Sequence, residues 1–350
     1  MASPGRQRTF SSTPRERRPL ISPASALNLM VQLRRCTLLA GGAAITVVTA
    51  QPARCQDSVP TVSIVSEPRV LSEGSLGWIW IRPSPGASIA AGEAGGEPIH
   101  LEPAGDSAFR SLVGVPVEAG DSFRVTLILQ AGERKDTLVT ALALRRGGYP
   151  NEVLSVAPAF VRPDSGAAAR IQSEIAKSRA ISRTSQEGPR LWRGPFRLPR
   201  PSRITSPFGT ARVFNGEVQS RHLGTDFAGA IGAPVRAAGH GMIALVADFY
   251  LAGHAVYIDH GAGLVTAYFH LSRADVRRGQ RVVAGQRIGA VGRSGRVTGP
   301  HLHWVARYGA ISVDPMSLLQ LHRTAQSTTE RVVIPASPSD RSEGSGPLAP

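Results

Sequence analysis

The segment GPHLHW, residues 299–304, sets His301 and His303 two positions apart in a run that reads as a strand. On a strand, side chains at i and i+2 share one face, about 6.6 Å apart along the backbone. Two imidazoles on one face cannot both be buried without polar partners. They are either solvated on an open sheet or share a chemical task. One natural division gives one ring to a metal and leaves the other beside the metal-bound water. A second segment, RHLGTDFAG at 221–229, offers His222 and Asp226. Gly224 and Gly229 favour a strand leading into a turn there rather than a helix, and both residue types are good zinc ligands. A third, AYFHLS at 267–272, closes an apolar strand with His270. A lone histidine at a strand end is ordinarily structural.

Taken together, the three segments fit one chemistry. Catalytic zinc takes three protein ligands and keeps one open position. His222, Asp226 and one of His301 or His303 supply that set. Zinc brings the pKa of a bound water to about 7 and so makes hydroxide available at neutral pH. The two histidines left over can act as base, acid or oxyanion stabiliser.

These residues need a rigid frame, and the sequence supplies β structure. Seven of the nine histidines lie between His222 and His303. In residues 197–320, short apolar runs such as GMIALVAD, HAVYID, LVTAYFH, QRIGAVG and HLHWVAR alternate with glycine turns, and no useful amphipathic helix is visible. That pattern predicts an antiparallel β-sheet domain with an open groove. Upstream, residues 59–160 carry alternating runs such as TVSIV, LGWIWIRP and FRVTLIL, separated by turn clusters. They predict a β-sandwich-like domain with a structural or spacing role. Residues 161–196 predict a connecting helix, from about Asp164, and then a proline-rich extended link. The tail, 321–350, is polar and predicted disordered. The fold class expected is therefore mainly β.

The formal charge is +15, carried almost wholly by arginine, with Lys135 and Lys177 the two lysines. Such a charge suits nucleic acid, a membrane or an acidic cell-wall polymer, or reflects an arginine-rich codon bias. No compact basic motif with interleaved aromatics is present, so nucleic acid is not the expected partner. Arg34 and Arg35 precede an apolar run, Cys36 to Ala50, with Ala50 and Ala53 as cleavage points. This is the order of an export signal, and the paired arginines suggest the twin-arginine route. The run is too short and too rich in glycine and alanine for a comfortable membrane span. Residues 1–53 are read as the signal region, with translation starting at Met30 or a long basic leader ahead of it. Removing the signal leaves Cys55 as the one cysteine, which excludes an internal disulfide. Its context, QPARC, is a poor lipid-attachment site.

The chain resembles the lysostaphin-type (LytM-like) zinc metallopeptidases, which cleave peptide cross-links of peptidoglycan. The resemblance runs through TSPFGTARVFNGEVQSRHLGTDFAG, GAPVRAAGHGMI, YIDHGAGLVTAYFHLS, VRRGQRVVAGQRIGAVGRSGRVTGPHLHWVA and VDPMSLL. It implies that His222, Asp226 and His303 are the zinc ligands, one ion per chain, and that His270 and His301 are the catalytic histidines. It also implies a peptidoglycan stem or cross-link peptide as substrate, such as a D-alanyl–diaminopimelate cross-link. The location implied is periplasm or cell envelope, with transient envelope association. His240 and His254 depart from the family's pattern. His240 reads as a turn or surface residue, and His254 as part of a loop near the groove. His260, in IDHG, reads as a structural turn position. All five chemical positions are filled, which favours an enzyme over a non-catalytic relative that binds peptidoglycan and regulates another hydrolase. A biotinyl- or lipoyl-type carrier shares the valine–glycine patterning, but neither lysine lies in this domain. A phosphorylated-histidine carrier would be cytosolic, against the export signal.

Overall fold

The computed structural model describes residues 60–214 and 218–322, together with short strands at Leu33–Cys36, Val47–Ala50 and Val333–Pro335. The first two of these strands pair antiparallel within a unit spanning Met1–Ser58, and Val59–Pro350 form a second unit. Apart from those strands, the expected export signal, the Met30 start, Cys55 and the tail beyond His322 lie outside the described residues. No helix among the described residues is long and apolar enough to cross a membrane.

The protein is mainly β, with antiparallel sheets. In the N-terminal region, two five-stranded sheets face each other across one core, one of them completed at its edge by Val333–Pro335 paired with Thr61–Glu67. Alternation explains it. Ser122–Ala131 buries Phe123, Val125, Leu127 and Leu129 on one face, and Thr61–Glu67 likewise buries every second residue, as a half-buried strand requires. The strand Leu76–Pro83 behaves differently. Ile79 and Ile81 enter the sandwich core, whereas Leu76 and Trp78 join the core of the C-terminal domain. Burial on both faces is why its sequence, LGWIWIRP, is almost continuously apolar. Trp78 Nε1 donates to the Leu321 carbonyl at 3.3 Å, and the Leu76 amide donates to Ser317 Oγ at 3.1 Å.

Asp164 caps the helix Ser165–Glu187 by accepting the Ala167 amide at 2.7 Å. Its buried residues are Glu174, Ser182 and Ser185. Small serines let it lie close against the strands of the C-terminal sheet, where Ile181 packs against a cluster that includes Tyr257 and Val265. The segment read from sequence as an extended link does more than span a gap. It contributes Trp192 and Phe196 to the C-terminal core, and the Leu191 amide donates to the His260 carbonyl at 2.7 Å.

The C-terminal sheet runs, in spatial order, Ile204–Ser206, Thr225–Ala228, His301–Tyr308, Leu264–Ala274, Gly253–Gly261, Gly241–Phe249 and Arg281–Val282. In the His301–Tyr308 strand, Leu302, Trp304, Ala306 and Tyr308 are buried in the core. His301, His303, Val305 and Arg307 therefore share the opposite face, toward the helix and the groove.

Candidate metal centre and active site

Register builds the centre. Asp226 lies opposite His303 in one antiparallel pairing, and Phe269 lies opposite His303 in the next. Directly opposed side chains are within reach of each other, and the Phe269 ring stacks on the His303 ring at 5.5 Å between centroids. His222 enters from the turn just before Thr225–Ala228. Its Nε2 stands 3.1 Å from Asp226 Oδ1 and 2.9 Å from His303 Nδ1, and His303 Nδ1 is 2.6 Å from Asp226 Oδ1. Three donor atoms thus form a triangle with edges near 3 Å. Ligands held at about 2.0–2.2 Å around one tetrahedral ion stand roughly 3.3 Å apart, so the set fits a metal with little adjustment.

The protonation states agree with that use. His222 Nδ1 faces the Pro207 carbonyl at 2.9 Å. A carbonyl only accepts, so Nδ1 carries the proton and Nε2 presents its lone pair to the centre. Burial pushes the Asp226 carboxyl up, but the neighbouring His303 and His222 pull it well below the usual carboxylate range, so the group is ionised. Burial pushes the His303 imidazole down to about 4, against the pull of Asp226. A neutral imidazole and an anionic carboxylate are the forms that bind metal. Gly224 provides the space: a Cβ there would stand 2.6 Å from His303 Cε1 and 2.7 Å from the Trp304 carbonyl.

His270 and His301 complete the group, with ring centroids 4.9 Å apart. His270 follows Phe269, so regular alternation would turn it away from the centre. Its backbone adopts φ +60°, unusual for a residue with a Cβ, and the strand's pairing shifts register at this point. That local strain re-aims the ring into the groove. His270 Nδ1 donates to the Ser294 carbonyl at 2.8 Å, and His301 Nδ1 donates to the Gly299 carbonyl at 2.8 Å. Both Nε2 atoms are thereby left as acceptors. Burial and then the neighbouring His303 and His301 push His270 down to about 3. One loop, 292–300, therefore orients both rings. It approaches the Leu251–Gly253 turn so closely that a Cβ on Gly295 would stand 2.5 Å from the Gly253 amide nitrogen, and Gly295 itself has φ +75°.

The surrounding groove has a volume of about 280 Å³ and is lined by all five of these residues together with Glu152, Arg212 and Arg296. Residues 220–315 match the family model described as Peptidase family M23. The chain carries a domain of peptidase family M23 over these residues. Its M23 domain is 47% identical over 105 residues to peptidoglycan DD-endopeptidase ShyA of Vibrio cholerae, covering 29% of this chain and 24% of that one. It is 38% identical over 118 residues to peptidoglycan DD-endopeptidase ShyC of the same organism, covering 33% and 27%. The chain spans about a quarter of the length of these curated relatives. A solved structure of a candidate M23 peptidase from Pseudomonas aeruginosa superposes with a TM-score of 0.52 at 25% identity, covering 74% of this chain and 92% of that one.

Around the M23 centre lies a layer of residues whose roles the sequence does not mark, although Ser206 and Arg212 fall within the segment TSPFGTARVF. Arg212 Nη2 donates to Asp226 Oδ2 at 2.8 Å and to Ser206 Oγ at 2.9 Å, while its Nε reaches Glu152 at 3.3 Å. Ser206 Oγ also lies 3.2 Å from His222 Nδ1. Glu152 arrives from the strand Asn151–Leu154, which pairs parallel with Ala211–Phe214. The partners are up to 60 positions apart in sequence, so spacing cannot reveal them. Arg296 sits between glycines in GRSGRVTGP, and that flanking is the one sequence signal for a groove loop.

The remaining histidines stand apart. His260 is fully buried, with Nδ1 2.7 Å from the His240 carbonyl and Nε2 2.8 Å from Thr266 Oγ1. His254 begins a strand, is exposed, and faces Asp248 at 3.5 Å rather than the groove. His322 meets Trp192 edge-on, and His100 pairs with Gln186.

Proposed function

We propose that this chain is an exported zinc-dependent endopeptidase that hydrolyses peptide cross-links of peptidoglycan. One observation carries the reading. Three metal-type donor atoms converge to within 2.6–3.1 Å beside two histidines whose Nδ1 protons are both fixed by backbone carbonyls. His222, Asp226 and His303 would hold the ion. Bound zinc supplies Lewis acidity toward the scissile carbonyl and a water acidic enough to ionise near neutral pH.

The chain's own residues do the rest. His270 and His301 present Nε2 lone pairs to the groove, so they can accept the proton of an attacking water and return it to the leaving amine. His270 stays neutral at physiological pH because burial disfavours its cation. Arg212 and Ser206 hold Asp226 and His222 in place, which keeps the donor atoms converged. The open groove admits an extended peptide strand alongside the glycine-rich loop. The similarity to the peptidoglycan DD-endopeptidases ShyA and ShyC supports peptidoglycan as the substrate and an envelope location for this chain.

Thorough chelation is expected to abolish hydrolysis, and zinc to restore it in proportion to metal regained. Full activity in protein shown to be metal-free would overturn the zinc reading. A protein that binds peptidoglycan with zinc present and cuts nothing would favour the regulatory alternative.

A further inference from the structure

The groove holds a cation that the mechanism above does not use. Four charged side chains line it besides Asp226: Glu152, Arg212, Arg221 and Arg296. Arg212 is paired with Glu152 and Asp226, and Arg221 is paired with Glu118 at 3.1 Å. Among the described residues, Arg296 has no carboxylate within 4 Å. Its guanidinium lies 4.4 Å over the Phe214 ring, and Nη1 makes one long contact, 3.5 Å, to the Phe160 carbonyl. Burial, and after it the nearby Arg212, weaken its hold on its proton. A guanidinium is a planar fork of five donors matched to a carboxylate. Here it is partly removed from water, repelled by a like charge and, among the described residues, without a counter-ion.

Its place on the loop says which part of a substrate it meets. The 292–300 loop supplies the Ser294 and Gly299 carbonyls that orient His270 and His301, and Arg296 stands between them, its amide tied to the Leu251 carbonyl at 2.8 Å. The Nε2 atoms of His270 and His301 face the groove that Arg296 also lines, so the group that receives a proton from either ring lies in that groove. In a peptide hydrolysis that group is the leaving amine. The residue bearing that amine therefore sits in the groove that the guanidinium lines.

We propose that Arg296 is a specificity-determining residue that binds a free carboxylate on the substrate residue carrying the leaving amine. The inference rests on the endopeptidase reading above and adds a requirement to it. The enzyme would select cross-links whose leaving residue keeps its own carboxylate, and would discriminate against the same peptide with that group amidated.

The test uses the full chain, loaded with zinc, and two synthetic cross-linked peptides that differ only in that group, free carboxylate or carboxamide. The wild type is expected to favour the carboxylate peptide by about 10-fold or more in kcat/KM, the scale of a hydrogen-bonded charge pair. Arg296→Gln should bring that ratio close to one, chiefly by raising KM for the carboxylate peptide, and leave the amide peptide nearly unchanged. Arg296→Lys, which keeps the charge and loses the fork, should retain part of the preference. An unchanged ratio in Arg296→Gln, or an equal fall for both peptides in a folded variant, would overturn the proposal and leave Arg296 a loop-packing residue. Calorimetric binding of the two peptides separates this idea from the reading beneath it. If the wild type cleaves neither peptide, the endopeptidase reading fails. The same carboxylate preference in binding, lost in Arg296→Gln, would still support the subsite, and equal binding would sink it.

Discussion

The Ser122–Ala131 strand of the sandwich and the His301–Tyr308 strand of the M23 sheet follow one rule to different ends. Each alternates, and each buries a row of apolar residues: Phe123, Val125, Leu127 and Leu129 in one, Leu302, Trp304, Ala306 and Tyr308 in the other. In the sandwich strand the remaining row, which includes Ser122, Arg124 and Gln130, carries no cluster of metal-binding side chains. In the M23 strand it carries His301 and His303, each only about 15% exposed. Polar side chains that far from water need partners. The difference between the strands is therefore the surrounding shell: Arg212, Ser206, Glu152, and the carbonyls of Pro207, Ser294 and Gly299.

If that comparison is right, the two rows respond to mutation in separable ways. The largest effect belongs to a proposed ligand. His303→Ala should cut hydrolysis by about 10³-fold or more, roughly 4 kcal/mol of barrier. Metal content should fall with it while the circular-dichroism spectrum stays the same. Leu127→Ala in the sandwich should do the reverse, costing about 3 kcal/mol of stability in a denaturant melt with the metal site intact. A loss of bound zinc in Leu127→Ala at temperatures where it is folded would break the distinction.

The next effect separates a structural histidine from the chemical ones. Burial holds His260 down to about 4, against an ordinary value of 6.5. The unfolded chain takes up a proton between those values that the folded chain refuses. Stability is therefore full above about pH 6.5 and falls as the pH drops toward 4, by about 3 kcal/mol from this group. His260→Gln should flatten that part of the stability profile. An unchanged slope would mean that His260 is not the group responsible.

The smallest effect tests the shell. Arg212→Met should weaken zinc affinity by roughly 10- to 100-fold, read in a competitive chelator titration, with little change in melting of the metal-free protein. Equal affinity would show that Asp226 and His222 are held without it.

How much of this was legible in the sequence depends on how local each feature is. The period of two in HLH puts both rings on one face, and the buried row of that strand follows from the same alternation. His222 and Asp226 lie within one strand-and-turn, so their types and spacing mark them. The sandwich strands Thr61–Glu67 and Ser122–Ala131 were readable because each buries one face. His270 was harder to place physically, since alternation points it away and only a positive φ turns it back. Arg212, Glu152 and Ser206 meet through pairings between distant segments, and no local pattern encodes that. Trp192 and Phe196 sit in a proline-rich stretch that looks like a spacer until its aromatic side chains find a core.

The most direct measurement of the central claim is mass spectrometry of purified peptidoglycan digested by the zinc-loaded chain, with His303→Ala as the parallel sample. Loss of cross-linked dimers with a matching rise of monomeric muropeptides, absent in His303→Ala, is the predicted result. Free stem peptides with bare glycan strands, or an unchanged profile from zinc-loaded protein, would contradict it.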